Sequence, residues 1–257
     1  MSGAAAGAAG GLPLSAAALD RLGAEGRRVT AWWRDDDART ATPELERLLT
    51  LAKTYDLPLA LAVVPAGAAP ALAERLAGEA RARVLLHGHA HANHAPPGEK
   101  RAEFGDHRPA EVMRREIAAG KAKLESLFGD RFRPVFVPPW NRIGGTARAL
   151  LAGLGLPTLS VYGAAKPAGE GGPAELNTHL DVMDWRAMRG LTLDAADGRL
   201  AGVIDARAGA AAEPIGLLTH HLQHDESAWA LTDRLLALFA AHPAVSWVGP
   251  ALLPIAK

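Results

Sequence analysis

Short runs of β-prone apolar residues recur along the chain, and the stretches between them carry apolar positions at a helical period. The runs predict strands near 29–33, 59–64, 84–87, 134–137, 158–162, 176–182, 215–220 and 245–248. Between the first two, Leu45, Leu48, Leu49 and Ala52 form one stripe, with Thr42 placed to cap the helix and Pro43 in its first turn. A longer helix over 109–128 turns Met113, Ile117, Leu124 and Leu127 inward and stops at Gly129, and another over 225–241 ends before Pro243. Strands alternating with helices predict parallel βαβ units, and about eight of them suggest an α/β barrel. The stretches 88–108, 138–145 and 163–175 fit neither pattern. Long loops in a compact domain usually serve function.

Composition narrows the classes. At 257 residues, 49% hydrophobic, the chain can bury a large core, and we expect one catalytic domain over 21–257 behind a flexible Ala/Gly-rich leader at 1–20. The start, MSGAAAGAAGGLPL, has neither a basic n-region nor a sustained apolar run, and no stretch is long enough for a membrane span, so a cytoplasmic protein is the expectation. Formal net charge is zero, which gives no electrostatic reason to expect nucleic acid or an anionic membrane as partner. The chain has no cysteine, so any metal must be held by His, Asp or Glu.

Those residues are not evenly spread. His87, His89, His91 and His94 follow directly on the apolar run 83–86. Neutral imidazole is the commonest ligand for zinc-like metals, and His87 and His91, four apart, would reach one ion from a single helical turn. A solvated polar loop is the bland alternative. Other strand ends are also polar: Trp32-Trp33-Arg34-Asp35-Asp36-Asp37, Pro138-Pro139-Trp140-Asn141-Arg142, Asp181-Val182-Met183-Asp184-Trp185 and Thr219-His220-His221. In barrels of this type, chemistry sits at the C-terminal ends of the strands.

The order Asp-Asp, His-x-x-x-His, Pro-Pro-aromatic, Asp-Trp, Leu-x-His resembles the polysaccharide deacetylases, the NodB homology domain or carbohydrate esterase family 4, over roughly residues 28–250. The resemblance implies a distorted (β/α) barrel of about seven parallel strands. It also implies removal of acetyl groups from N-acetylated sugars with one divalent metal, Zn2+ or another transition metal. Carried over by motif, Asp36 matches the general base and Asp37 the metal-binding aspartate, a register preferred because the small Ala38 follows. His87 and His91 match the histidine ligands, leaving His89 and His94 in supporting places. Trp140 matches the aromatic whose backbone N–H holds the oxyanion. Asn141, Arg142, Asp184, Trp185 and Arg108 are assigned with it to the oxyanion and substrate, Asp184 as support for catalytic groups. His220 matches the general acid, with His221 the alternative. The arginine usual before the Pro-Pro-aromatic turn is replaced by Val137, and Arg34 and Arg142 are the candidates to stand in for it. The 88–108 segment departs from the secreted enzymes and marks a separate subgroup, which opens the substrate more than the reaction.

The residue set suits amide hydrolysis: a carboxylate base, an imidazole acid and a metal serve both ends of a poor electrophile with a poor leaving group. Tryptophans 32, 33, 140 and 185 are expected near sugar rings, and the 88–108 loop is expected to wall a pocket for a small N-acetylated sugar compound, with Arg108 gripping it. A metal-dependent amidase acting on a non-sugar amide is the alternative, and a non-catalytic ligand-binding barrel a further one.

Overall fold

A computed structural model describes residues 11–169, 171–207 and 213–248. Helices α1 (Pro13–Ala24), α2 (Pro43–Thr54), α3 (Pro70–Leu76), α4 (Ala110–Phe128), α5 (Gly145–Gly153), α6 (Leu193–Ala206) and α7 (Glu226–Ala241) alternate with short strands. The strands are β1 (Val29–Ala38), β2 (Leu59–Val63), β3 (Ala82–His87), β4 (Phe132–Val137), β5 (Thr158–Leu159), β6 (Ala174–Glu175), β7 (Leu180–Asp181), β8 (Met183–Asp184), β9 (Arg189–Gly190), β10 (Ile215–Thr219) and β11 (Val245–Trp247). The described chain falls into two compact units, one built from residues 11–34, 43–58 and 178–248, the other from 35–42 and 59–177.

In the first unit the opening stretch of β1 pairs in parallel with β11 and lies beside β10, which pairs in parallel with β7. The Trp33 indole N–H donates to Thr219 Oγ1 at 2.9 Å, so a buried aromatic satisfies its one polar atom inside this sheet. Helix α1 occupies residues 13–20 of the expected leader. It packs on α6 with Ser15, Ala18, Leu19 and Leu22 buried, and the buried Asp197 accepts from the Leu14 and Ser15 N–H groups at 2.9 and 2.8 Å. A distant carboxylate thus caps a helix whose own N-cap, Leu12, cannot. Residues 1–10 of the expected leader lie outside the described residues.

The second unit holds the parallel series β2–β3–β4–β5–β6 and the last residues of β1, where the Val64 N–H donates to Ala38 O at 3.0 Å. All five residues of β2 and all six of β4 are buried, as expected for parallel strands covered on both faces. Helix α4 approaches closely because Gly120 has no side chain: a Cβ there would lie 2.9 Å from Pro65 Cγ and 3.2 Å from Leu86 Cδ1. The expected strand at 158–162 stops at Leu159, because the Val161 N–H turns to Asn177 Oδ1 at 2.9 Å. No helix among the described residues is long and apolar enough to cross a membrane.

Candidate metal centre

Three ligand atoms from Asp37, His87 and His91 lie within 4.8 Å of one another in the second unit. Asp37 closes β1 and His87 closes β3, so the C-terminal ends of two parallel strands deliver two of the three groups. The Nε2 atoms of His87 and His91 each stand 3.1 Å from the same oxygen, Asp37 Oδ1. His87 Nδ1 lies 2.9 Å from the carbonyl of Val137, which can only accept, so Nδ1 carries the proton and Nε2 presents its lone pair. Two imidazoles and a carboxylate fit a divalent metal. The local charge agrees. Burial opposes protonation of His87, but the charge of Asp36 and the bond to Asp37 outweigh it and hold this imidazole above the usual histidine range. Burial lowers His91, keeping it neutral and ready to ligate.

His91 does not reach the site from a helical turn, as the i, i+4 spacing suggested. Residues 88–94 form a loop in which Gly88 (φ 56°) and His91 (φ 58°) are left-handed. Asp37 (φ 75°), Trp140 (φ 56°) and Asn141 (φ 55°) share that conformation. Gly88 is required by space as well: a Cβ would lie 2.2 Å from Glu103 Oε2 and 2.6 Å from Pro139 Cδ. Trp140 lays its ring 4.4 Å from that of His91, bracing a ligand. Asp35 is fully buried and Asp36 2% exposed, and it is Asp37 whose carboxylate oxygen stands 3.1 Å from both histidines.

The 88–108 segment is pinned along its length. Asn93 Oδ1 accepts from the Ala95 and Ala102 N–H groups, both at 3.1 Å, and the Phe104 carbonyl accepts from Gly144 N–H at 2.7 Å. Asp106 takes the Thr146 and Gly145 N–H groups at the start of α5, bonds that hold its carboxyl below the usual range. Arg108, expected to grip substrate, instead forks onto Glu116 with two 2.8 Å bonds and reaches the Glu103 carbonyl at 3.0 Å. Arg142 is exposed and donates to the Arg101 carbonyl at 2.9 Å.

The remaining expected residues lie in the first unit. His220 follows β10 and is 7% exposed; its ring meets the edge of Trp185 at 4.6 Å and its Nδ1 stands 3.8 Å from Asp181 Oδ1. Asp181 Oδ2 accepts the Trp185 indole N–H at 2.7 Å. Asp184, expected to support catalytic groups, accepts from the Arg186 and Ala187 N–H groups at 3.0 and 3.2 Å, and the carboxylate beside Trp185 and His220 is that of Asp181. The spacing of four between Asp181 and Trp185 was visible, but the adjacent Asp-Trp pair drew the assignment away from it. His221 is fully buried and opens the short turn after β10. Arg34 is also fully buried. Trp32 and Trp33 belong to the core, which removes them from any sugar surface, whereas Trp185 is 42% exposed.

No family model matches the sequence, and no curated protein matches it. Solved structures do. A family 4 carbohydrate esterase from Streptomyces lividans, in complex with acetate, is 17% identical at a TM-score of 0.58 over 89% of this chain and 98% of that one. A peptidoglycan N-acetylglucosamine deacetylase is 16% identical at 0.57, covering 90% of this chain and 91% of that one. A family 4 acetyl xylan esterase from Clostridium thermocellum, holding a cobalt ion, is 17% identical at 0.54, covering 87% and 89%. The shared fold is the α/β type with a curled parallel sheet, the distorted (β/α) barrel expected from the sequence.

Proposed function

We propose that this chain is a metal-dependent N-deacetylase that removes an acetyl group from the nitrogen of an N-acetylated sugar or sugar-containing metabolite. The observation that carries this reading is the convergence of Asp37, His87 and His91 at strand ends, in a fold shared with a peptidoglycan N-acetylglucosamine deacetylase and a cobalt-holding acetyl xylan esterase. A zinc-like ion held by these three residues would act as a Lewis acid on the acyl carbonyl and bring the pKa of a water towards about 7. Asp36, buried and next in sequence to Asp37, takes the proton as water adds to the carbonyl carbon. The backbone at Trp140, turned by its φ of 56°, offers its N–H to the developing oxyanion, a donor worth about 3 kcal/mol in such sites. His220, set by Asp181 and Trp185, gives the proton that lets the nitrogen leave as the C–N bond breaks, and acetate is released.

The test is acetate release from N-acetylglucosamine oligomers, small acetylated sugar conjugates and sugar-free acetylated amines, each with and without a chelator. We expect release from the sugar compounds, abolished by chelation and restored by zinc or cobalt. Release from sugar-free amines alone would replace the sugar assignment with the amidase one. A metal-loaded protein inert towards all three would be a ligand-binding barrel.

A further inference from the structure

Glu103 has no part in the chemistry above, yet it is 1% exposed and stands against the ligand loop. Its Oε2 accepts the His89 N–H at 3.0 Å; its Oε1 accepts the Ala90 N–H at 2.7 Å and the Ala92 N–H at 3.3 Å. These amides flank His91, the left-handed ligand, and follow Gly88, whose missing side chain leaves the carboxylate room to enter. Among the described residues the carboxylate makes no ion pair with a lysine or arginine; Arg108 bonds the Glu103 carbonyl and spends its fork on Glu116. A buried charge held by amide dipoles alone is stable only while those amides point at it. The loop conformation and the buried charge therefore enforce each other.

Resting on the metal reading, we propose that Glu103 is a positioning residue: its carboxylate pre-forms the 88–92 loop so that His91 presents Nε2 to the ion before any ion binds. The clamp meets two needs at once. It offsets the cost of a left-handed histidine, and it sets a second negative charge behind the ligands. Plain anchoring of the loop to the body of the unit would need neither a charge nor three amides bracketing one ligand.

The experiment compares wild type with Glu103→Gln, Glu103→Asp and Gly88→Ala. Zinc affinity is read by competition with a chromophoric chelator, ligand geometry by the visible spectrum of the cobalt form, and the loop by amide exchange in metal-free protein. Glutamine keeps the size but turns a donor towards amide donors, so zinc affinity should fall about 10–100-fold, the usual cost of losing a partner behind a ligand. Exchange at residues 89, 90 and 92 should quicken and the cobalt spectrum should change. Gly88→Ala should do the same, because its Cβ needs the space of Glu103 Oε2. Aspartate keeps the charge with a shorter reach and should recover part of the affinity, which keeps the test open should the glutamine variant not fold. Wild-type affinity and spectrum in Glu103→Gln and Gly88→Ala would overturn the proposal and leave the metal reading standing. A wild-type protein that binds neither zinc nor cobalt would overturn both.

Discussion

Around Asp37, His87 and His91 the backbone itself is bent, with non-glycine residues left-handed at Asp37, His91, Trp140 and Asn141. Around Asp181, Trp185 and His220 the backbone is ordinary apart from Met188 at a hairpin tip (φ 51°), and side chains orient one another: indole to carboxylate at 2.7 Å, ring edge to ring at 4.6 Å. The contrast follows from what each group has to do. Metal ligation tolerates only tenths of an ångström, so the ligands sit on backbone locked by Glu103 and by the close approach of Gly88 to Pro139. Proton delivery asks for one hydrogen bond at the right moment, and side chains able to adjust can supply it. Strained backbone concentrated at one group and nearly absent from the other marks where the fold invests in rigidity.

The largest effects should come from the locked region. Asp37→Ala, His87→Ala and His91→Ala should each abolish metal binding, read as metal content after dialysis, and with it turnover. A variant that kept its metal would put the ligand set elsewhere, with His89 and His94 the nearest candidates. One step down, Asp36→Asn and His220→Ala should each lower turnover by roughly 10²–10⁴-fold with metal content unchanged. The comparison breaks if His220→Ala is nearly silent and His221→Ala is not, because the acid would then be a fully buried residue rather than one set by Asp181 and Trp185.

Acid should separate the two regions. His179, two residues before Asp181, holds β7 to β10: its N–H donates to the Gly216 carbonyl at 2.7 Å and its Nδ1 accepts the Gly216 N–H at 3.0 Å. Its Nε2 faces Glu213 Oε1 at 3.1 Å. Burial, with the Arg207 charge second, pushes its pKa down to about 4 despite Glu213. The unfolded chain, with histidine near 6.5, binds a proton between those values that the folded chain refuses. Stability from this group is thus present above about pH 6.5 and lost as pH falls towards about 4, on the order of 2 kcal/mol by pH 5. The 88–108 segment behaves differently: Arg108 holds Glu116 below the usual carboxylate range, so that contribution persists until pH falls through the lowered value. Amide exchange at pH 5 against pH 7, corrected for intrinsic rates, should show residues 179–183 loosening while 89–92 stay protected. A His179→Asn variant should lose the pH step.

Much of this contrast was hidden in the sequence for physical reasons. Runs of apolar residues located β2, β3, β4 and β10, because parallel strands buried on both faces need little else to specify them. The histidine spacing picked out the two imidazoles that meet Asp37, but not the way they meet it, since a loop with two left-handed residues does what a helical turn was expected to do. Helix α1 was missed because alanine-rich sequence carries weak periodicity and its cap, Asp197, lies 182 residues away. Glu103 gave no local signal: one glutamate in an unassigned loop becomes informative only once folding sets it against His89, Ala90 and Ala92.

Arg108 offers the smallest effect and the finest test of which region the 88–108 segment serves. Its side chain is 10% exposed, forked onto Glu116 and bonded to the Glu103 carbonyl, with the guanidinium 6.0 Å from the Phe104 ring centroid. A residue so occupied has few donors left for a substrate. Arg108→Ala should therefore cost about 1–2 kcal/mol of stability by urea unfolding, the scale of charged hydrogen bonds in a half-buried setting, and leave KM unchanged. It should also weaken zinc binding, less than Glu103→Gln does, because it frees only the backbone of the clamp and leaves the carboxylate on its three amides. A several-fold rise in KM at unchanged stability would return Arg108 to the substrate and make the segment part of the recognition surface. A fall in stability at constant KM would tie it to the rigid half of the contrast, as support for the loop that carries His91.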